Sequence, residues 1–215
     1  MNKMKQKLLV VAMIMILVLS NSMSVFAAPG KRDLYYKGLR DNLNSIPLTP
    51  TSYAAYYPDL DVLLDQIFAA IITPEMDTQD KLQACYDYII NNTSYGYTSC
   101  WTMDPFVVAG VVLTEHYGVS DDYTATLCVM AWKLGIPMYA MAGQTHTTDG
   151  GFTGHAWCQL DINGVSYIFD PQVEDAIAGR QNGRISYIRF GGTTTQLADK
   201  YQNGEMSYYY DFSVN

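Results

Sequence analysis

Gly154-His155-Ala156-Trp157 and, fifteen residues after the histidine, Asp170-Pro171 frame the stretch that decides how this chain folds. Between them lie Asn163 and Gly164, a pair that tolerates the positive φ of a two-residue hairpin turn. With those two as the turn, Ile162 faces Val165 across an antiparallel ladder. The same register sets Trp157 opposite Asp170, with His155 two places further along on the same face. Diagonal positions on one face lie roughly 7–8 Å apart, within reach of longer side chains. Asp170 can therefore accept from one ring nitrogen of His155, fix its tautomer and leave the other nitrogen basic. That is the base and orienter of a nucleophilic triad.

The missing member belongs at a helix start. Tyr117-Gly118-Val119-Ser120-Asp121-Asp122-Tyr123 runs into a helical pattern with Tyr123, Leu127, Met130, Ala131 and Leu134 on one face. Gly135-Ile136-Pro137 stops it, a glycine C-cap with proline just beyond. From Gly118 to Pro171 the chain resembles the transglutaminase-like superfamily, the papain-type cysteine hydrolases and transferases. Its pattern is a glycine two residues before a cysteine that opens a helix, a Leu-Gly-Ile-Pro helix end, a His-Ala-Trp strand, and a strand ending Asp-Pro. The segment Tyr86-Asp87-Tyr88-Ile89-Ile90-Asn91-Asn92, followed by Tyr95, is similar to the helix preceding that core. The resemblance covers about half the chain and implies a transglutaminase-like, papain-like core. It implies that Ser120, His155 and Asp170 come together as the site, with an oxyanion donor from the region of Tyr95–Trp101.

Ser120 departs from the pattern, because the family has cysteine there. A helix N-terminus and an imidazolium can pull a thiol from about pH 8.5 to roughly 3.5–7.5. The same field cannot ionise an alcohol, which needs general-base removal of its proton during attack and a good oxyanion hole. Two readings stand side by side. Ser120 is an N-cap accepting from the amide of Asp122 or Tyr123, with Asp121 and Asp122 suited to the positive helix end. Or Ser120 is a nucleophile served by His155 and Asp170. For the latter pair the plain reading is a hydrogen bond bracing the hairpin, and for Trp157 a core anchor.

Residues 1–27 read as an export signal. Lys3, Lys5 and Lys7 form a basic region, Leu8 to Leu19 an apolar one, and Val25-Phe26-Ala27 a small-residue cleavage site. The apolar run is too short for a membrane span. A secreted or cell-surface protein is expected, with no integral span after signal removal, as one domain over residues 28–215 with its core at about 78–190. Without those three lysines, 13 − 3 = 10 basic residues stand against 21 acidic ones, a net charge of −11. Such a balance disfavours nucleic acid as a partner. The expected partners are a peptide, a protein or a cell-wall ligand.

The four cysteines, Cys85, Cys100, Cys128 and Cys158, form neither a disulfide framework nor a zinc site by spacing, and no cofactor is expected. Cys85 and Cys128 fit small buried positions on helices; Cys85–Cys100 is the pair to test first. Cys158 falls on the strand face opposite His155. His116 and His146 are given no role.

The remaining pattern is helices first, strands after. A short helix is expected near Asp33–Leu43, and longer ones over Leu60–Ile72 and Thr78–Asn92. Asp104-Pro105 opens a segment over Phe106–Glu115, helical by its cap though valine-rich enough for a buried strand. Strands are expected at Met138–Gly143, His155–Ile162, Val165–Phe169, Ile185–Phe190 and, as an edge, Tyr208–Phe212, with Gly143–Gly154 a polar connection rimming a cleft. Helices packed on an antiparallel sheet make an α+β domain. Two function classes follow: a module that lost its thiol and binds a ligand in the remnant cleft, or an acyl-transfer or amide-hydrolysing enzyme using Ser120, His155 and Asp170.

Overall fold

The computed structural model describes residues 38–209. The export signal over residues 1–27, the early part of the first expected helix and residues 210–212 of the expected edge strand lie outside the described residues. The helices are α1 (Leu39–Asn44), α2 (Pro58–Ile71), α3 (Thr78–Asn92), α4 (Pro105–Glu115), α5 (Ser120–Lys133) and α6 (Pro171–Arg180). Short strands β1 (Ser94–Tyr95) and β2 (Tyr117–Gly118) pair in parallel. The main sheet is wholly antiparallel, in the order β6-β5-β4-β3-β7. Its strands are β3 (Tyr139–His146), β4 (Phe152–Ile162), β5 (Val165–Phe169), β6 (Phe190–Thr193) and β7 (Tyr201–Tyr209). The architecture is α+β, helices against an antiparallel sheet. Among the described residues no helix is long and apolar enough to cross a membrane.

Helix α5 is the spine. Every residue from Tyr123 to Lys133 is buried, because α3 and α4 pack on it from one side and β4 from the other. Leu64, Leu82, Tyr86, Ile89, Leu127, Met130, Trp132 and Phe169 share one apolar core with it. Lys133, the basic residue of its last turn, is buried against Asp61 at 2.6 Å, so even this charge is paired. Gly135 then ends the helix with φ +85°, and a Cβ there would stand 2.4 Å from the Thr49 amide nitrogen. Only glycine meets both demands.

The hairpin register agrees with the sequence. Ile162 pairs Val165 and Cys158 pairs Phe169, with Asn163 and Gly164 both at positive φ. Helix α4 resolves the valine-rich ambiguity: the Asp104 side chain accepts from the amides of Phe106 and Val107, and Pro105 sits in the first turn. Four expectations need correction. The ladder of β3 and β4 continues to His146 and Phe152, so the polar connection shrinks to a tip around Thr147–Gly151. Helix α6 occupies a stretch for which no helix was expected, since Asp170-Pro171 is itself an N-cap followed by proline. The sixth strand is Phe190–Thr193, not Ile185–Phe190: the amides of Ser186, Tyr187 and Arg189 turn to the Glu174 carboxylate instead of a ladder. The edge strand begins at Tyr201, well before Tyr208.

Candidate active site

His155 stands on β4 opposite Gly143 of β3, and its Nε2 lies 2.7 Å from Asp170 Oδ2. A carboxylate only accepts, so Nε2 carries a hydrogen, and in the neutral ring Nδ1 is the acceptor nitrogen. Both side chains are almost wholly buried. The Asp170 carboxylate is held from every side. Tyr201 Oη donates to the same Oδ2 at 2.6 Å, and the Val173 amide donates to Oδ1 at 3.0 Å as Asp170 caps α6. The Asp170 amide donates to the Arg189 carbonyl at 3.0 Å, and Tyr86 Oη donates to the Asp170 carbonyl at 2.8 Å. Burial pushes this carboxyl up, but the His155 charge and the donors from His155, Tyr201 and Val173 outweigh it. The group ends below the ordinary carboxylate range. Burial and then the Asp170 charge push the Tyr201 hydroxyl well up, so it stays a protonated donor. The buried Arg189 guanidinium acts on the Tyr201 hydroxyl in the opposite direction through its charge, but less strongly.

Trp157 braces the imidazole. The two rings lie 6.4 Å apart at 18°, and Tyr201 meets the indole at 5.0 Å. The indole can lie across β3 and β7 because two glycines sit beneath it. A Cβ at Gly143 would come within 2.7 Å of Trp157 Cη2, and one at Gly204 within 2.7 Å of Cζ2. Trp157 is a core residue here, packed with Ile168, Leu197 and Tyr201.

Ser120 is the first residue of α5, as a nucleophile position requires, but it is not the cap. Val119 takes the N-cap place in extended geometry, and its amide donates to Asp122 Oδ2 at 3.0 Å. The Ser120 hydroxyl has no hydrogen-bond partner among the described residues, neither a helix amide nor His155. The structure thus joins His155 to Asp170 directly and leaves Ser120 unjoined to both. Helix and strand are held together further along, where Cys158 Sγ donates to the Thr124 carbonyl at 3.4 Å. Cys158 stands on the face alternate to His155, toward α5, as strand parity requires.

The segment before α5 carries several exposed aromatic residues. Pairing of β1 with β2 sets Tyr95 beside Gly118, with the Gly96 amide donating to the Gly118 carbonyl at 3.0 Å. Tyr95, Tyr97, Trp101, Met103 and Tyr117 are all exposed, Trp101 at 91%. His116 ends α4 at φ +62° and its carbonyl accepts from the Ser94 amide, a structural task. Tyr201, Arg189 and Glu174 were not legible in the sequence: none lies in a motif, and Tyr201 is one of eighteen tyrosines. The signal that could have pointed to Glu174 is Asp170-Pro171, which has the same cap-and-proline form as Asp104-Pro105 and so marks the start of α6.

Residues 65–171, just under half of the chain, match the family model of the transglutaminase-like superfamily. No curated protein matches the chain. A candidate cysteine protease from Cytophaga hutchinsonii is similar in structure at 16% identity and a TM-score of 0.40, over 76% of this chain and 54% of that one. A TGase is similar at 17% identity and a TM-score of 0.38, over 65% of this chain and 37% of its own. The chain spans about half the length of the first and less of the second.

Proposed function

We propose that this chain is an exported transglutaminase-like module with Ser120 in place of the nucleophilic cysteine. In this reading it is catalytically weak or inactive and binds a peptide, protein or cell-wall ligand in the remnant cleft. One observation carries the reading: the His155–Asp170 pair is fully built at 2.7 Å, while the Ser120 hydroxyl makes no hydrogen bond to His155. An alcohol that is not hydrogen-bonded to its base is a poor nucleophile. The exposed aromatic residues beside β1 and β2 suit the side of such a cleft, since rings and methionine offer apolar contact to a peptide. The basic-then-apolar leader over residues 1–27 supports export.

A working Ser120-His155-Asp170 triad is the second reading, favoured by one observation of its own. The Ser120 hydroxyl has no capping duty, so nothing among the described residues competes for it. A fluorophosphonate probe on the purified full chain separates the two. The first reading predicts no labelling of Ser120. Strong labelling of Ser120, lost in His155→Ala, would overturn it and establish an active serine enzyme.

A further inference from the structure

Two sulfurs outside the site lie close together at the junction that holds the site. Cys128 Sγ and Cys158 Sγ are 3.6 Å apart, and both residues are completely buried. They are free thiols in this structure, as are Cys85 and Cys100. The sulfur contact is therefore not at Cys85–Cys100, the pair that chain proximity suggested. Cys85 faces the core from α3 among Leu82 and Ile89.

We propose that Cys128 and Cys158 are a disulfide site, cross-linking α5 to β4 when the chain folds in contact with a small-molecule or protein disulfide. Closing 3.6 Å to the bonded separation of about 2.05 Å asks each sulfur to move by only about 0.8 Å. No other cysteine competes for either sulfur. Oxidation displaces two weak contacts, Cys128 S–H to Cys158 Sγ and Cys158 S–H to the Thr124 carbonyl. The bond ties the helix that begins at Ser120 to the strand that carries His155.

The exchange balances without any group supplied by the protein. One cysteine thiolate attacks the external disulfide, forms a mixed disulfide and releases one thiolate. The second cysteine thiolate attacks the mixed disulfide at the protein sulfur and releases the other. The protein loses two protons and two electrons, and the external disulfide is reduced to two thiols. Only thiolates attack, and burial pushes the Cys158 thiol well up. Oxidation thus belongs to folding, before β4 closes over α5, and the finished bond is shielded from reductants.

The experiment is refolding of the full chain from denaturant in glutathione disulfide and glutathione, with dithiothreitol in parallel. The oxidised monomer is expected to weigh less by two hydrogens and to titrate two thiols of the four under denaturing conditions. A proteolytic digest should yield a Cys128–Cys158 linked peptide. Reduction should lower the melting temperature by roughly 5–15 °C, the effect of opening a loop of about thirty residues in a domain of this size. Cys128→Ala and Cys158→Ala should each abolish the mass loss. Four titratable thiols in the oxidatively refolded wild-type monomer would overturn the proposal. So would a linked peptide pairing Cys85 or Cys100 in place of Cys128–Cys158. The wild-type mass and thiol count decide the matter even if a variant fails to fold.

Discussion

Asp170 Oδ2 accepts from both His155 and Tyr201, so the loss of this one carboxylate leaves two buried donors without an acceptor. Each such group costs roughly 1–3 kcal/mol. Asp170→Ala should therefore lose at least ~2 kcal/mol by denaturant melts, and His155→Ala less, because Tyr201 and the Val173 amide still hold the carboxylate. Unchanged melts for Asp170→Ala would mean that the pair is exposed. The pH dependence has a definite sign. The folded carboxyl titrates below the ordinary value of about 3.9, so its stabilisation is present above that pH. It is lost as pH falls through the depressed folded value. The stability gap between wild type and Asp170→Ala should be full at pH 6 and should shrink below about pH 4; a gap that widens on acidification would contradict the assignment. Tyr201→Phe should cost about 1 kcal/mol, one hydrogen bond, while leaving the His155–Asp170 contact in place. A nuclear magnetic resonance signal from the His155 ring N–H that disappears in Tyr201→Phe would show that the hydroxyl was instead holding the pair together.

Helix α6 and the segment after it, residues 181–189, a strap leading to β6, show how an element supports the site from behind. Glu174 is completely buried and accepts from the amides of Ser186, Tyr187 and Arg189 at 2.9–3.0 Å, and from the Ser186 hydroxyl. That fixes the Arg189 carbonyl, which receives the Asp170 amide. Glu174→Ala should cost about 3–5 kcal/mol, with faster hydrogen exchange at residues 186–189; amides there that stay protected would show another support. Gly135→Ala, forced to positive φ and into Thr49, should cost more than ~2 kcal/mol by the same melts. At this scale the sequence is most legible where a signal is local and singular. Asp104 caps α4, and Asn163-Gly164 sets the hairpin register. It is least legible where one signal serves two elements. Asp170 ends a strand and caps a helix at once, and Ser186–Arg189 has the apolar look of a strand while its amides belong to a distant carboxylate. The cap role expected of Ser120 falls instead to Val119 and Asp122, because the acidic third helical residue reaches back to the amide.

Across the whole molecule, the helix that begins at Ser120 and the sheet that carries His155 meet along one interface, with Thr124 and Cys128 against Cys158. The α+β class and the His155–Asp170 pair were readable because each rests on periodicity and turn chemistry close in sequence. The supports from Tyr201, Arg189 and Tyr86 were not, since they come from β7, the strap and α3, and only packing brings them to Asp170. On the proposed function, the start of α5 still belongs to one site with His155, and the thiol is what that site lacks. Ser120→Cys tests it most directly, by the rate of alkylation with iodoacetamide against pH. A thiol at a helix N-terminus beside an imidazolium has a depressed pKa, whereas a free one titrates near 8.5. The variant is predicted to alkylate faster than a free thiol at about pH 6–7, and to lose that advantage in a His155→Ala background. An introduced thiol that reacts no faster than free cysteine, with or without His155, would contradict the account.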